Sequence, residues 1–227
     1  MTGQLVLGID EAGRGPGIGP MVLAAVALDD VSEALLARAG VRDSKVFGSS
    51  TVGRQARARL AALIRERAPF CSVEICEVSQ VDAYVARSAL NQLERERARL
   101  LIRRAPSCSR IIADGRTLFA PLVAKFPHLE AMDRAESAHT AVAAASICAK
   151  AQRDELFEAI ALRYLPEFGA LRGGGYVNPA TTAFVAEYVR RHGHLPPEAR
   201  KSWPWRGVPG LVNDNFSITP LPRPQVP

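Results

Sequence analysis

The run Val6-Leu7-Gly8-Ile9-Asp10-Glu11-Ala12-Gly13-Arg14-Gly15-Pro16 limits what this chain can fold into more than any other stretch. Leu5 to Ile9 are apolar or small, as a buried strand requires, and Gly13, Gly15 and Pro16 keep that strand from simply continuing. The strand therefore ends in two adjacent carboxylates beside a glycine-flanked arginine. Carboxylates at a buried strand end need partners: a divalent cation neutralises them, and the amides of a glycine-rich turn hold a phosphate or hydroxyl beside it. The same residues also suit a plain tight turn in which Asp10 caps local backbone and Glu11 faces solvent. No Gly-Lys-Ser/Thr follows, so the run is not a phosphate loop. Pro20 to Leu28 (PMVLAAVAL) reads as a second strand, where a dinucleotide fingerprint would open a helix.

The chain has 227 residues, 48% of them hydrophobic, which is enough for one sizeable core and too little for two large domains. Its 29 Lys and Arg against 23 Asp and Glu give a net charge of +6, which favours an anionic partner such as nucleic acid without requiring one. Cys71, Cys76, Cys108 and Cys148 form no Cys-x-x-Cys pair, and with four scattered histidines they offer no zinc spacing. They read as reduced and mostly buried. No apolar stretch approaches the roughly twenty residues of a membrane span, and no charged n-region precedes an apolar one, so a cytoplasmic protein is expected.

After the two strands come a short helix near Ser32 to Ala39, a loop Val41-Arg42-Asp43-Ser44-Lys45, and a basic helix from Thr51 to Arg67. Pro69 stops that helix, Phe70 to Val78 alternates as a strand, and Ser79 to Arg104 returns to helical spacing with a Leu90, Leu93, Leu100, Leu101 stripe. The charge-laced face from Glu94 to Arg103 reads as solvated surface. Arg110 to Gly115 (RIIADG) is a short strand that brings a third carboxylate, Asp114, to a strand end, although Asp-Gly alone equally marks a turn. Asp133 and Glu136 precede an alanine-rich helix, Thr140 to Arg163, whose small residues let it lie close to a sheet. An acidic residue there either caps the helix or completes a carboxylate cluster.

GIDEAGRGP, RDSK, IIADG, AAASICAKAQRD, and GGGYVNP with RKSW occur in the order found in type 2 ribonucleases H, and the chain resembles that family from Leu5 to Trp203. The ending is similar to that of archaeal and eukaryotic members. The resemblance implies an α/β fold, a ribonuclease H-like mixed β-sheet flanked by helices, with a helical C-terminal part inside one catalytic domain over residues 1–207. It implies a metal-dependent endoribonuclease that cuts the RNA strand of RNA–DNA hybrids and cuts at ribonucleotides embedded in duplex DNA, leaving a 5′-phosphate and a 3′-hydroxyl. Matched by motif, Asp10, Glu11 and Asp114 are three of its acidic residues. The fourth, an aspartate in the family, falls on Glu136, with Asp133 as the alternative.

The implied cofactor is Mg2+ or Mn2+, two ions during catalysis, with Asp10 bridging them, Asp114 and Glu136 each completing one coordination sphere, and Glu11 fixing the first ion through its carboxylate or main-chain oxygen. Regular strand geometry sends Asp10 and Glu11 to opposite faces, so the glycine turn is expected to re-aim one of them. Gly13, Arg14 and Gly15 are the implied readers of the ribose 2′-hydroxyl, Tyr176 the aromatic that stacks beside the junction, and Arg42, Lys45 and Lys150 candidate phosphate contacts. Glutamate at 136 is one methylene longer than the family's aspartate, so the alternative outcome is a hybrid- or junction-binding protein with weakened catalysis. His139 reads as a helix cap. Residues 208–227 read as a flexible proline-rich tail. Phe216 stands alone there, so no clamp-binding motif is recognised, and the chain is expected to be a monomer with no membrane contact.

Overall fold

The computed structural model describes residues 4–42, 47–48, 50–206 and 208. β1 (Val6–Ala12) and β2 (Met21–Leu28) pair antiparallel without interruption, from Val6 opposite Leu28 to Ala12 opposite Val22. The pairing runs through both carboxylates, so the glycine turn starts only after Glu11 and re-aims neither side chain. β2 is buried along its whole length, which explains an apolar run with no alternation: both faces of the sheet are covered. α1 (Asp30–Arg38) and α2 (Thr51–Arg67) follow, then β3 (Phe70–Cys76) antiparallel to β2.

The expected helix over 79–104 is two helices, α3 (Val78–Val85) and α4 (Leu90–Arg104), broken where Ser88 turns left-handed at φ 54°. β4 (Arg110–Asp114) pairs parallel to β1 and β5 (Leu129–Met132) parallel to β4, joined through α5 (Arg116–Val123). A 3₁₀ turn (Ala135–Ser137) leads into α6 (Thr140–Phe168), and α7 (Pro179–His192) follows. The sheet order is β3-β2-β1-β4-β5, a mixed sheet with helices on both sides. No helix among the described residues is long and apolar enough to cross a membrane.

Alternation sorts the sheet's side chains into two cores. Leu7, Ile9, Leu23, Ala113 and their neighbours face Val81 of α3, Leu93 and Leu101 of α4, and Phe119 of α5. Val22, Ala24 and Val26 face the alanines of α6 with Leu36 of α1 and Ile64 of α2. A third cluster, with Ile18, Ile160, Tyr164, Phe184, Tyr188, Trp205 and Val208, builds the C-terminal part against the second half of α6. Val208 is thus a core residue, not the first residue of a tail; 209–227 lie outside the described residues. At 29 residues, α6 is about 43 Å long, enough to serve both the sheet core and this third cluster.

The contact that seats α6 is made at Gly8. A Cβ added there would lie 2.2 Å from the carbonyl carbon of Ala141 and 2.3 Å from the amide nitrogen of Val142, so helix backbone rests directly on strand backbone. Neither side can move aside, because both are main chain inside a packed core. Gly8→Ala is therefore expected to destabilise the fold by about 2 kcal/mol or more, as overpacking does. Urea unfolding checks this, and a midpoint within error of wild type would mean that α6 is not seated as described.

Candidate active site

Asp10 and Asp114 lie on the α6 face of the sheet, and the 3₁₀ turn before α6 follows close on the end of β4. Asp10 lies on that face because Ile9 and Glu11 take the opposite one. The β1–β4 register pairs Ile9 with Ala113, so the next positions along both strands, Asp10 and Asp114, stand side by side on adjacent parallel strands, about 5 Å apart in backbone. The 3₁₀ turn brings in Glu136, 4% exposed, and its first residue, Ala135, donates its N–H to Asp114 Oδ1 at 2.8 Å. Asp133 is drawn elsewhere: it is exposed, and its Oδ1 accepts from Arg116 N at 2.8 Å, holding the start of α5. Of the two acids, Glu136 is the buried one and Asp133 the exposed one.

α6 supplies the partners of Asp10. Ser146 is hydrogen-bonded to the Asp10 carboxylate, Lys150 Nζ donates to Ser146 Oγ at 3.0 Å, and Glu11 N–H donates to Asp10 Oδ1 at 2.8 Å. Burial nevertheless pushes Asp10 up to about 6, opposed by Ser146, reinforced by the Asp114 charge and opposed again by Lys150. Ser146 lies in the AAASICAKAQRD run, which does not by itself single out the serine. Its signal is positional, four residues before Lys150 on one helix face.

Glu11 sits on the other face, toward α4. Burial, then the charges of Asp10 and Glu94, push it well above the usual carboxylate range, with Arg14 pulling the other way. Glu94 is completely buried and ion-paired with Arg14, so the expected solvated face of α4 is wrong at this residue. Arg14 Nη2 also donates to Asn91 Oδ1 at 2.7 Å, which turns the arginine side chain toward α4. Glu94 is pushed up by burial, with Arg14 opposing, and its Oε1 has no hydrogen-bond partner.

The donors fit a hard divalent cation. All are carboxylate oxygens, and the forces raising Asp10 and Glu11, burial and like charge, are the ones a bound cation reverses. Among the described residues no group of three or more His, Cys, Asp or Glu side chains is already closed to metal-ligand spacing.

A cleft of about 1030 Å³ opens beside this corner. Glu11, Ala12 and the Gly13-Arg14-Gly15 turn form one wall, Arg54, Lys150, Arg153 and Arg172 add positive charge, and Tyr176 stands at the mouth, 56% exposed. Asp10, Asp114 and Glu136 do not line it; Glu11 and Lys150 mark the junction. Tyr176 lies over Gly15, where an added Cβ would be 3.3 Å from the ring. Gly173, Gly174 and Gly175 all have positive φ (87°, 62° and 81°), which side chains rarely adopt, and Gly175 O accepts from Gly17 N at 2.9 Å and Ile18 N at 3.0 Å. The glycine run is thus anchored on the turn it faces. Arg42 is exposed, and Lys45 lies outside the described residues. His139 occupies the N-cap position of α6 without a side-chain capping bond.

The ribonuclease HII family model matches residues 7–205. A ribonuclease HII of Caldivirga maquilingensis is 37% identical over 218 residues, covering 94% of this chain and 97% of its own. Among solved structures, the ribonuclease H2 from Pyrococcus horikoshii superposes with a TM-score of 0.76 at 28% identity, covering 88% of this chain and 94% of its own. Bst-RNase HIII in complex with Mn2+ gives 0.65 at 27% identity, over 84% of this chain and 63% of its own. With a match over nearly the whole length, carboxylates meeting at the ends of β1 and β4, and a basic cleft beside them, this chain belongs to the ribonuclease HII family of metal-dependent endoribonucleases, which act on the RNA strand of RNA–DNA hybrids.

Proposed function

We propose that the protein hydrolyses the phosphodiester on the 5′ side of a ribonucleotide in duplex DNA, and within RNA–DNA hybrids, leaving a 5′-phosphate and a 3′-hydroxyl. The observation that carries this reading is the side-by-side position of Asp10 and Asp114 on the α6 face, with buried Glu136 beside them and a basic cleft alongside. Asp10, Asp114 and Glu136 would hold the divalent ions, Mg2+ or Mn2+, with Glu11 contributing from the strand's other face. Two such ions, when bound, would supply an activated water and stabilise the leaving 3′-oxygen.

The protein's own groups do the rest. Ser146 and Lys150 orient the Asp10 carboxylate from α6. Arg54, Lys150 and Arg172 give the cleft the charge that attracts phosphates. The Gly13–Gly15 turn, which lacks side chains at both glycines, lets backbone approach a ribose, and Tyr176 over Gly15 offers a stacking face at the same point. The burial of Glu136 at the corner argues against the weakened, binding-only alternative, since a disused carboxylate has no reason to remain desolvated there.

The direct test is incubation with a duplex carrying one ribonucleotide, in Mg2+ and then in Mn2+. Cleavage is expected at the ribonucleotide, and binding without cleavage in both metals would contradict the proposal. Asp10→Asn is expected to abolish turnover, by about 10³-fold or more, while leaving duplex binding intact, as gel-shift and initial-rate assays would show together. Glu136→Ala is expected to reduce the rate far more than Asp133→Ala; the opposite ranking moves the ligand to Asp133. Tyr176→Ala is expected to lower affinity for the ribonucleotide junction by about 1–3 kcal/mol, the worth of one aromatic stack, with the metal dependence of the rate unchanged.

A further inference from the structure

The largest completely buried side chain in the described structure is an arginine, Arg200, in the C-terminal part. It makes no ion pair among the described residues. Its guanidinium is spent on carbonyl oxygens: Nη2 to Gly13 at 2.5 Å, Nη1 to Arg14 at 3.0 Å and Nε to Gly19 at 3.0 Å. Two neighbours complete the grip. Trp203 Nε1 donates to Gly15 O at 2.8 Å with its ring against the Arg200 guanidinium, and Arg153 Nη2 donates to Ile18 O at 2.6 Å. Every carbonyl of Gly13-Arg14-Gly15 is therefore held from behind by a side chain from the 200–203 segment.

Peptide planarity gives this grip a consequence on the other side. In a trans peptide the C=O of one residue and the N–H of the next point in opposite directions. Fixing the Gly13 and Arg14 carbonyls against Arg200 turns the Arg14 and Gly15 N–H groups away from it, on the side of the turn where the cleft and Tyr176 lie. Two guanidiniums buried together are costly. Burial holds Arg200 down at about 9, with the Arg153 charge acting in the same direction, and burial holds Arg153 at about 10. An apolar side chain would fill the space at lower cost. What it would not supply is a rigid fork matched to several carbonyls, with a positive charge behind outward-facing amides.

We infer that Arg200, with Trp203 and Arg153, is the positioning residue of the Gly13–Gly15 turn, and that it sets how strongly the enzyme prefers a ribonucleotide over deoxyribonucleotides. This rests on the reading of that turn as the ribose-facing element. Arg200 touches no substrate. It acts by fixing the direction of two backbone donors.

Cleavage of a duplex with one ribonucleotide, competed by an unlabelled all-DNA duplex, gives a KM and a Ki whose ratio measures the preference. Arg200→Lys keeps the charge and removes the fork. It is expected to raise KM about 10–100-fold, the scale of a 1 Å misplacement, with the competitor Ki and the half-saturating Mn2+ concentration unchanged. An unchanged KM, or a KM and Ki raised equally by general loosening, overturns the inference. If Arg200→Lys does not fold, Trp203→Phe decides on the same ratio, since it releases only the Gly15 carbonyl: a weakened preference supports the inference and an unchanged one overturns it. A wild-type enzyme that binds both duplexes alike removes the ribose reading itself, and this inference with it; a wild-type preference that survives in the variant removes the inference alone.

Discussion

The site depends on the contact of α6 with β1 at Gly8, where helix backbone touches strand backbone with no side chain between them. Once that point is fixed, distances along the two elements agree. From Ala141 to Ser146 a helix advances about 7.5 Å, and from Gly8 to Asp10 a strand advances about 6.8 Å, so a serine and a carboxylate arrive at the same place. Lys150 follows one helical turn later and holds the serine hydroxyl. The alanine run of α6 keeps the approach close along the sheet, with Ala141, Ala144, Ala145 and Ala149 all buried. Small residues here are what allow polar groups of a helix to serve a strand-end carboxylate.

The second dependence runs between chain ends. The turn after β1 is held by Arg200 and Trp203, and the C-terminal segment is in turn tied to α3, where Asp82 accepts from Lys201 N at 2.9 Å and Ser202 N at 3.1 Å. The Tyr176 loop bonds to Gly17 and Ile18. Carboxylates, turn and tyrosine thus belong to one connected arrangement, with the sheet fixing the acids and the C-terminal part fixing the groups that face the cleft. Arg14, flanked by the two glycines, belongs to the inner side: its side chain neutralises buried Glu94 and leaves the outer surface of the turn to backbone.

Much of this was legible in the sequence. The first four strands show through apolar runs and their Gly and Pro boundaries, and the carboxylates Asp10 and Asp114 stand at strand ends as their sequence places suggest. The remaining features carry no local signal. The α3–α4 break falls at Ser88, a non-glycine in a left-handed conformation, so the helical pattern read straight through it. α5 carries Pro121 within its span, and the sequence reading places no element there. Glu94 looks like surface because charge usually is, and its partner in burial, Arg14, stands eighty positions away. Arg200 stood in a visible RKSW motif, but its acceptors lie at the other end of the chain, and no spacing rule reports a partner that distant. The expected re-aiming of Asp10 or Glu11 failed for a plain reason: β2 keeps pairing with β1 up to Ala12.

The central claim is that Asp10, Asp114 and Glu136 form one cation site on the α6 face. A crystal of the full chain soaked in Mn2+, read by anomalous scattering, tests it most directly. Manganese is expected between Asp10 and Asp114 with Glu136 at its edge. Manganese bound at Asp133 or elsewhere, with Asp10 and Asp114 unliganded, would contradict it.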